Sequence, residues 1–497
     1  MHEAFRPRTL TRRSLLGTAI LGVSSFAGAA LMAACSSPPP PAATAQPAPP
    51  TAAAAASTNP TATSAPAAAA AATGQKVTIT VFNRQTPTNE TPKGMVEEYQ
   101  SKHPNVTIDW QSAPPGADLQ KMLVLAAAGT SPDVQWQCLL CNYHQFILAG
   151  LVLEHDPLVK STNYPIDTQM PQAMANASVN GKLYGLPQAL HPSYPCVIIN
   201  KTMFEKGGVP IPKEEWTTGP HPGWQNWTFD DMKKAAITLT KSEGGRISQW
   251  GFQMQGAANS FDVIQQAIRA EGGDMFSPDG SKLTWNSDAG RKATAYYAAL
   301  YTKDKVAPMT PDMPTGGPDL MASGKVAIRN APVWSILTAK NTFKDFDWMI
   351  MPAPRGAVGT DGNVEPNLFS IQKATKNPEV AFDVLVSIVD PKWGWKSVDL
   401  GGIPGSQKEF WAPDSRLTKD PNFAVFARMM NTVSPNVLPA NGRRAELATQ
   451  WIAGMDPVWL GQDVDSNKLI DQLTPKLQAI LDSQPASLGE LSAPKKP

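Results

Sequence analysis

The stretch Lys76-Val77-Thr78-Ile79-Thr80-Val81-Phe82 is bounded by polar residues and rich in β-branched side chains, so it predicts a buried β-strand. A helix is predicted from Thr91, because a proline suits its first turn and apolar residues then recur on one face. A second strand is predicted at 106–110, a second helix from Asp118, and a third strand from Pro132. The order strand, helix, strand, helix, strand is typical of an open, mainly parallel α/β sheet.

The same alternation of strands and helices returns in the second half of the chain. Thr228 followed by Asp231 has the spacing of a helix capping box, and Asn377-Pro378 marks the start of another helix. Further strands are predicted at 196–200, 250–254, 325–329 and 347–351, and further helices at 260–270, 289–303 and 466–481. The predicted fold class is therefore α/β, with two such halves.

The N-terminal residues predict export and lipid attachment. Arg12-Arg13 precedes an apolar run without ionisable side chains, which ends in Ala33-Ala34-Cys35. Residues 1–34 resemble a bacterial lipoprotein signal peptide of the twin-arginine type, with Cys35 as the lipidated N-terminus of the mature chain. Met32 departs from the leucine usual at its position. The general secretory route and a permanent membrane helix are the alternatives.

Residues 35–74 are almost entirely Ala, Pro, Thr and Ser and contain no Lys, Arg, Asp or Glu. Such a segment has little apolar surface to bury, so it is predicted to be an extended, disordered tether. The body that follows has room for two to three domains of average size. The protein is thus expected outside the cytoplasm, anchored to the cell membrane as a lipoprotein.

Composition argues against several classes of partner. The chain has 43 Lys and Arg against 42 Asp and Glu, and the basic residues are scattered, so no nucleic-acid surface is predicted. Beyond Cys35 the cysteines are Cys138, Cys141 and Cys196. A disulfide, either Cys138–Cys141 or from one of these to Cys196, is favoured in an oxidising compartment, with free thiols as the alternative. A structural zinc site would need a second cysteine pair, so neither a metal nor a cofactor is expected.

No catalytic motif is found in the sequence. The patterns His-Glu-x-x-His, Gly-x-Ser-x-Gly and the phosphate-binding loop do not occur. The acidic pairs Glu214-Glu215 and Asp230-Asp231 are interpreted as solvated surface and a helix cap. Because the two carboxylates of a glycosidase can come from distant positions, a secreted glycoside-processing enzyme on an α/β scaffold is the alternative function.

Several short motifs occur in an order that resembles one family. They are Ala127-Ala128-Gly129-Thr130-Ser131-Pro132-Asp133-Val134, Gly181-Lys182-Leu183-Tyr184-Gly185-Leu186-Pro187, Asn226-Trp227-Thr228-Phe229, Glu271-Gly272-Gly273, Gly324-Lys325-Val326-Ala327-Ile328 and Gly402-Ile403-Pro404. Together they resemble the extracellular solute-binding proteins of ABC importers, in the maltose-, multiple-sugar- and glycerol-3-phosphate-binding group, over residues 75–497. Residues 215–223 look like an insertion relative to this family.

The resemblance implies a periplasmic-binding-protein-like fold with two discontinuous lobes joined by hinge crossings. The first lobe is expected to comprise 75–190 plus 330–367, and the second 191–329 plus 368–497. A small solute, expected to be a mono- or oligosaccharide, would bind in the cleft and be enclosed by hinge closure. A monomer would then deliver it to the permease subunits of an ABC transporter, without any chemistry on the solute.

The resemblance also suggests which residues contact the solute. Aromatic rings and hydrogen-bonding side chains suit sugars, which have flat apolar faces and a rim of hydroxyls. Trp334 is the principal candidate, whereas Arg444 would suit a carboxylate or phosphate. One of Trp136 and Gln137 should face the cleft, because side chains alternate along a strand. The other candidates are Asn83, Arg84, Gln85, Ser260, Asp262 and Trp395, with Phe261, Trp393 and Arg443 beside them; Trp227, Trp250 and Trp285 are interpreted as core residues.

Overall fold

The computed structural model describes residues 75–85, 89–113, 118–138, 143–254, 260–313, 319–432 and 443–483. The predicted signal peptide, the lipidation site Cys35, the tether and Cys141 lie outside these residues. The strands are β1 (Val77–Asn83), β2 (Val106–Ser112), β3 (Val134–Cys138), β4 (Ser178–Val179), β5 (Lys182–Leu183), β6 (Leu186–Ser193), β7 (Cys196–Asn200), β8 (Lys241–Glu243), β9 (Arg246–Gln253), β10 (Val326–Ala331), β11 (Trp348–Pro352) and β12 (Asn363–Ile371).

Helices cover the faces of the two sheets. They are α1 (Glu90–Lys102), α2 (Asp118–Ala127), α3 (Tyr143–Leu148), α4 (Asp156–Thr162), α5 (Pro171–Ala177), α6 (Lys201–Lys206), α7 (Phe229–Leu239), α8 (Ser260–Ala270), α9 (Asp288–Thr302), α10 (Ser335–Thr342), α11 (Pro378–Ile388), α12 (Pro391–Asp399), α13 (Lys408–Trp411), α14 (Pro421–Thr432), α15 (Arg444–Gly454), α16 (Asp456–Trp459) and α17 (Ser466–Asp482). The predicted capping box is present at α7, where the Thr228 hydroxyl accepts from the Asp231 amide and the Asp231 carboxylate accepts from the Thr228 amide. In the described residues, no helix is long and apolar enough to cross a membrane.

Two five-stranded sheets organise the body. The first has the order β2-β1-β3-β12-β6 and the second the order β11-β7-β10-β9-β8. Strand β1 pairs in parallel with β2 and β3, whereas β12 is antiparallel to both β3 and β6. In the second sheet β10 is parallel to β9, and β7 is antiparallel to β10 and β11. The predicted α/β class is confirmed, but both sheets are mixed, because the strands that arrive from the other sheet enter in the reversed direction.

The pairing of two strands differs from the predicted lobe limits. Residues 330–367 were expected in the first lobe, yet β11 and the last two residues of β10 pair within the second sheet. The chain returns to the first sheet at β12, which continues beyond residue 367, and α11 then adds buried residues to the first core. The limits come from the family resemblance, and the alternation of apolar residues, which identifies a strand but not its neighbours, could not assign β11 to the correct sheet.

Separate apolar cores support the two sheets. The first surrounds β1 and β3 and includes Val81 and Leu385, and the second surrounds β9 and includes Phe252 and Trp285. The indole N–H of Trp285 donates to Thr294 Oγ1 at 2.8 Å, so this fully buried ring leaves no polar atom unpaired. Trp227, Trp250 and Trp285 are each at most 8% exposed, which confirms their prediction as core residues.

Cys196 is a free, buried cysteine at the start of β7. A disulfide from this residue to Cys138 or Cys141, one of the predicted alternatives, is therefore wrong. Burial raises the pKa of the Cys196 thiol well above its usual value, because a thiolate would be poorly solvated there. The side chain thus behaves as a small apolar group in the core.

The predicted insertion at 215–223 forms a hairpin. The Thr217 amide donates to Gly223 O at 2.8 Å, and the Gln225 amide donates to Glu215 O at the same distance. The rings of Trp216 and Trp224 meet edge to face, with 6.3 Å between centroids. These contacts give the hairpin a defined conformation.

The hairpin braces the segment that carries the chain from β11 back to β12. The Thr360 amide donates to His221 O at 3.1 Å, and Arg355 Nε donates to Gln225 O at 3.1 Å. His221 Nδ1 also lies 3.4 Å from Asp361 Oδ2. The hairpin therefore holds the connection between β11 and β12 in a defined position.

This brace predicts the effect of a substitution at Gly359. The residue has φ +134°, and a Cβ there would lie 1.8 Å from His221 O. Gly219, in the hairpin, has φ +116° but no atom within 4 Å of a Cβ. Both alanine variants carry backbone strain, so Gly359→Ala is expected to lower the free energy of unfolding by at least ~1 kcal/mol more than Gly219→Ala. Urea unfolding measures the difference. Equal losses of free energy of unfolding in the two variants would show that the close approach of Gly359 to His221 does not stabilise the protein.

His155, directly before α4, is fully buried between β5 and β12. Its amide donates to Leu183 O at 2.7 Å, its Nδ1 lies 2.8 Å from Leu153 O, and the Ile371 amide donates to its Nε2 at 3.3 Å. This geometry assigns a neutral ring with the proton on Nδ1. Burial lowers the pKa of His155 to about 4, since the interior disfavours the charged ring.

The His155 environment predicts a pH dependence of stability. Histidine in an unfolded chain has a pKa near ~6.5, so below that pH the unfolded state binds more protons than the native state. The contribution of His155 is complete above about pH 6.5 and is lost as the pH falls towards about 4. The free energy of unfolding should therefore fall less steeply in His155→Gln than in the wild type between these values. Urea unfolding at several pH values measures this. An equal loss of free energy of unfolding in the two proteins over this pH range would contradict the expectation.

Candidate functional site

A cavity of about 700 Å³ lies beside the carboxyl ends of β1 and β3. The first turn of α1, together with α10 and α12, completes its wall, so residues that follow strands of both sheets meet in it. Four indoles line the cavity, those of Trp110, Trp136, Trp334 and Trp393. Amide side chains also line it, those of Asn83, Gln85, Asn89, Gln188, Asn341 and Asn367. The lining thus combines flat apolar surfaces with hydrogen-bonding groups.

The three residues predicted after β1 come together at this cavity. Asn83, Arg84 and Gln85 all line it, and the Gln85 amide donates to Asn83 Oδ1 at 3.2 Å. The indole N–H of Trp110, on β2, donates to Gln85 O at 2.9 Å. The turn after β1 is therefore held by the side chain of its own first residue and by a neighbouring strand. Contact of these residues with a solute remains a prediction.

Trp136 and Gln137 project to opposite sides of β3. Trp136 lines the cavity, across from Phe369 of β12, which also lines it. Gln137 is fully buried and is not among the described residues that line the cavity. Alternation along the strand therefore selects Trp136 of the pair, and Gln137 does not occupy the predicted position. The guanidinium carbon of Arg84 lies 4.4 Å from the centroid of the Trp136 ring.

Trp334 lines the cavity from the side of the second sheet. It follows β10 and precedes α10, and its ring is only partly buried. The ring of Tyr194 meets it edge to face, with 6.2 Å between centroids. Tyr194 lies in the first crossing, between β6 and β7, with φ 58° in the left-handed region. The principal candidate from the sequence is thus placed where an incoming solute can reach it.

Three other candidates are placed elsewhere. Ser260, Asp262 and Arg444 are not among the described residues that line the cavity. Arg444 donates to Asp262 Oδ1 at 2.9 Å and lies over the Phe261 ring at 5.3 Å, and both charged side chains are largely buried. This ion pair joins α15 to α8. Because the charge of Arg444 is paired with Asp262, the structure gives no support to the hypothesis that Arg444 binds an anionic solute. The neighbouring Arg443 pairs with Glu446 at 3.2 Å.

Arg444 also acts on a residue of the first half of the chain. His144, on α3, is buried, and burial followed by the positive charge of Arg444 lowers the pKa of His144 to about 4. Helix α3 packs in the first core, whereas α15 packs in the second. Groups from the two halves are therefore close enough to share an electrostatic environment.

Of the two tryptophans on α12, only Trp393 lines the cavity. Trp395 stacks on Phe410 with 4.2 Å between centroids, carries Arg416 at 4.2 Å, and donates its indole N–H to Glu409 at 2.7 Å. Residues two apart on a helix point about 200° from each other, so both could not face the same cavity. Trp395 is therefore not among the described residues that line this cavity.

Several lining residues carried no signal in the sequence. Glu365 and Asn367 project from β12, whose pairing the sequence did not reveal. Glu365 is 4% exposed and accepts from Ser193 Oγ at 2.6 Å. Glu90, in the first turn of α1, pairs with Lys396 of α12 at 2.8 Å, and this hydrogen bond lowers the pKa of Glu90. Among the described residues, no group of three or more His, Cys, Asp or Glu could hold a metal ion.

Comparison with solved structures places the fold. The ABC substrate-binding protein Lmo0181 from Listeria monocytogenes, in complex with cycloalternan, is 20% identical with a TM-score of 0.70, and the match covers 82% of this chain and 100% of that one. UgpB from Mycobacterium tuberculosis, in complex with glycerophosphocholine, is 17% identical with a TM-score of 0.67, covering 81% and 98%. These likenesses show a two-lobed periplasmic-binding-protein fold.

Sequence comparison assigns the family. A putative binding protein of Brucella abortus (strain 2308) is 23% identical over 420 residues, which are 82% of this chain and 94% of that protein. Residues 85–394, more than half of the chain, match the family described as bacterial extracellular solute-binding protein. The predicted resemblance is confirmed, and the chain belongs to the family of bacterial extracellular solute-binding proteins.

Proposed function

We propose that the protein is a lipid-anchored, extracytoplasmic binding protein that captures a carbohydrate between its lobes and delivers it to the permease of an ABC transporter. The observation that carries the carbohydrate assignment is the cavity in which Trp136 and Trp334 meet a set of amide side chains. The indole faces match the apolar faces of pyranose rings, and the amides can both donate to and accept from hydroxyl groups. A volume of about 700 Å³ is in the range of sites that enclose small ligands.

The charges of the cavity favour a neutral sugar over an anionic solute. Arg84 is the one basic side chain among the described residues that line the cavity. Two acidic side chains, Glu90 and Glu365, line it as well. Arg444, which the sequence offered as a second cation, is engaged with Asp262. A phosphate or carboxylate normally requires charge-assisted hydrogen bonds from several donors, and this lining offers few. The cycloalternan complex of the Listeria protein supports a saccharide, and the glycerophosphocholine complex of UgpB makes a phosphodiester the alternative to test.

The two-lobed fold supports the proposal that the solute is captured by closure. Trp136 lies on β3 of the first sheet, and Trp334 follows β10 of the second sheet. A solute that contacts both rings would favour the conformation in which both rings reach it. The permease would then distinguish the closed, loaded protein from the open one. Attachment to the membrane rests on Cys35 and the uncharged tether, which would keep the body close to its transporter.

A thermal-shift screen tests this function. The panel contains glucose, maltose, maltotriose, sorbitol, glycerol 3-phosphate and glycerophosphocholine. A bound sugar should stabilise the protein by roughly 2.7 kcal/mol when present at about 100 times its Kd, and the sugar should be recovered unchanged. Stabilisation by the phosphate compounds alone would overturn the carbohydrate assignment. Sugar turnover would instead support the glycoside-processing alternative.

Substitution of Trp334 tests the site itself. Trp334→Ala should weaken sugar binding at least tenfold, a loss of ~1.4 kcal/mol or more, because the stacking surface is removed. Trp395→Ala is the matched control, since this indole packs on Phe410 away from the cavity. Isothermal titration measures both affinities, and thermal unfolding checks that both variants are folded. Equal affinities for the two variants would place Trp334 outside the binding surface.

A further inference from the structure

Arg84 and Trp136 contact each other within the wall of the cavity. The guanidinium carbon of Arg84 lies 4.4 Å from the centroid of the Trp136 ring, inside the range of a cation–π interaction. Both residues line the cavity, yet Trp136 is only 8% exposed. The guanidinium therefore covers ring surface that would otherwise be open to the cavity.

A stacked sugar would need the same surface. The rest of Trp136 belongs to the first core, so its ring does not offer a second free face. A guanidinium is planar and weakly hydrated, and it makes the kind of flat contact on an indole that a pyranose face makes. Arg84 and a pyranose ring cannot occupy the Trp136 face together.

We propose that Arg84 occupies the Trp136 ring in the empty protein, must be displaced by a solute that stacks on the indole, and so limits the affinity for such a solute. The proposal rests on the carbohydrate-binding function. Displacement costs the cation–π contact, and a solute recovers this cost only if it stacks on the indole itself. Cyclic sugars have the flat apolar face that stacking requires, whereas an acyclic polyol does not. The Arg84 side chain thus lowers the affinity for sugars that stack on Trp136 and leaves the affinity for acyclic polyols unchanged.

Hydrogen-bond acceptors line the same cavity as Arg84. Glu90 lines the cavity in the first turn of α1, and its carboxylate is on the surface. The amide oxygens of Asn89 and Gln85 also belong to the lining. These groups are the candidates to accept hydrogen bonds from the Arg84 guanidinium once it has left the ring.

The sign of the effect of Arg84→Ala tests the proposal. If Arg84 competes with the sugar, its removal should tighten binding of maltose or maltotriose at least about threefold, mainly through faster association. If Arg84 is only a contact to the sugar, its removal should weaken binding. Arg416→Ala is the matched control, because Arg416 lies 4.2 Å over the Trp395 ring outside the cavity, and it should leave affinity unchanged.

A double-mutant cycle separates the competing role from a structural one. In a Trp136→Ala background, Arg84→Ala should no longer tighten sugar binding, because there is no ring to uncover. The screening panel is applied to all variants by thermal shift and titration, with sorbitol as the acyclic polyol. Because sorbitol does not stack on the indole, Arg84→Ala should leave its affinity unchanged and raise the ratio of maltose to sorbitol affinity at least about threefold. An equal gain for sorbitol would overturn the displacement.

Two failures are distinguishable. Sugar binding by the wild type that is unchanged or weakened in Arg84→Ala overturns the role of Arg84 and leaves the carbohydrate function in place. Absence of sugar binding in the wild type and in Arg84→Ala alike overturns both proposals. Tighter binding in Arg84→Ala that persists in the Trp136→Ala background would also overturn the displacement, since the effect would then not depend on the ring.

Discussion

The structure depends on one strand, β12. The chain reaches it from β11 of the second sheet, and β12 pairs in the interior of the first sheet. It forms antiparallel ladders with β3 on one side and β6 on the other, so its backbone groups are satisfied on both edges. Because side chains alternate along a strand, β12 presents Glu365, Asn367 and Phe369 to the cavity on one face. The strand that joins the two sheets is therefore also part of the cavity wall, and this wall is complete only when the chain has crossed back.

Local features of the fold could be predicted from the sequence. The first strand, the capping box at Thr228 and the helix at 260–270 depend on residues near each other in the chain, and each appears where the pattern indicates it. The pairing of β11 depends on which distant strand lies beside it, and a repeat of apolar residues contains no such information. The lobe limits taken from the family resemblance assigned β11 to the first lobe, whereas it pairs in the second sheet.

The candidate site divides along the same line. Asn83, Arg84 and Gln85 follow a strand whose carboxyl end faces the cavity, and the positions of Trp136 and Trp334 follow from the strands before them. Arg444 could not be placed in this way, because its partner Asp262 lies 182 positions earlier and neutralises the charge that suggested an anion site. A sequence shows which groups are charged, but pairing across the fold decides which charges remain available to a solute.

Tyr194, in the connection between β6 and β7, contacts Trp334 edge to face and so brings this connection next to the cavity. Tyr194 holds a left-handed backbone conformation, which a side chain adopts only when its surroundings enforce it. The proposed closure would act through this short connection, so the contact between Tyr194 and Trp334 is placed to change with it. Among the chain's 14 tryptophans, Trp334 would then be one whose surroundings respond to closure as well as to a solute.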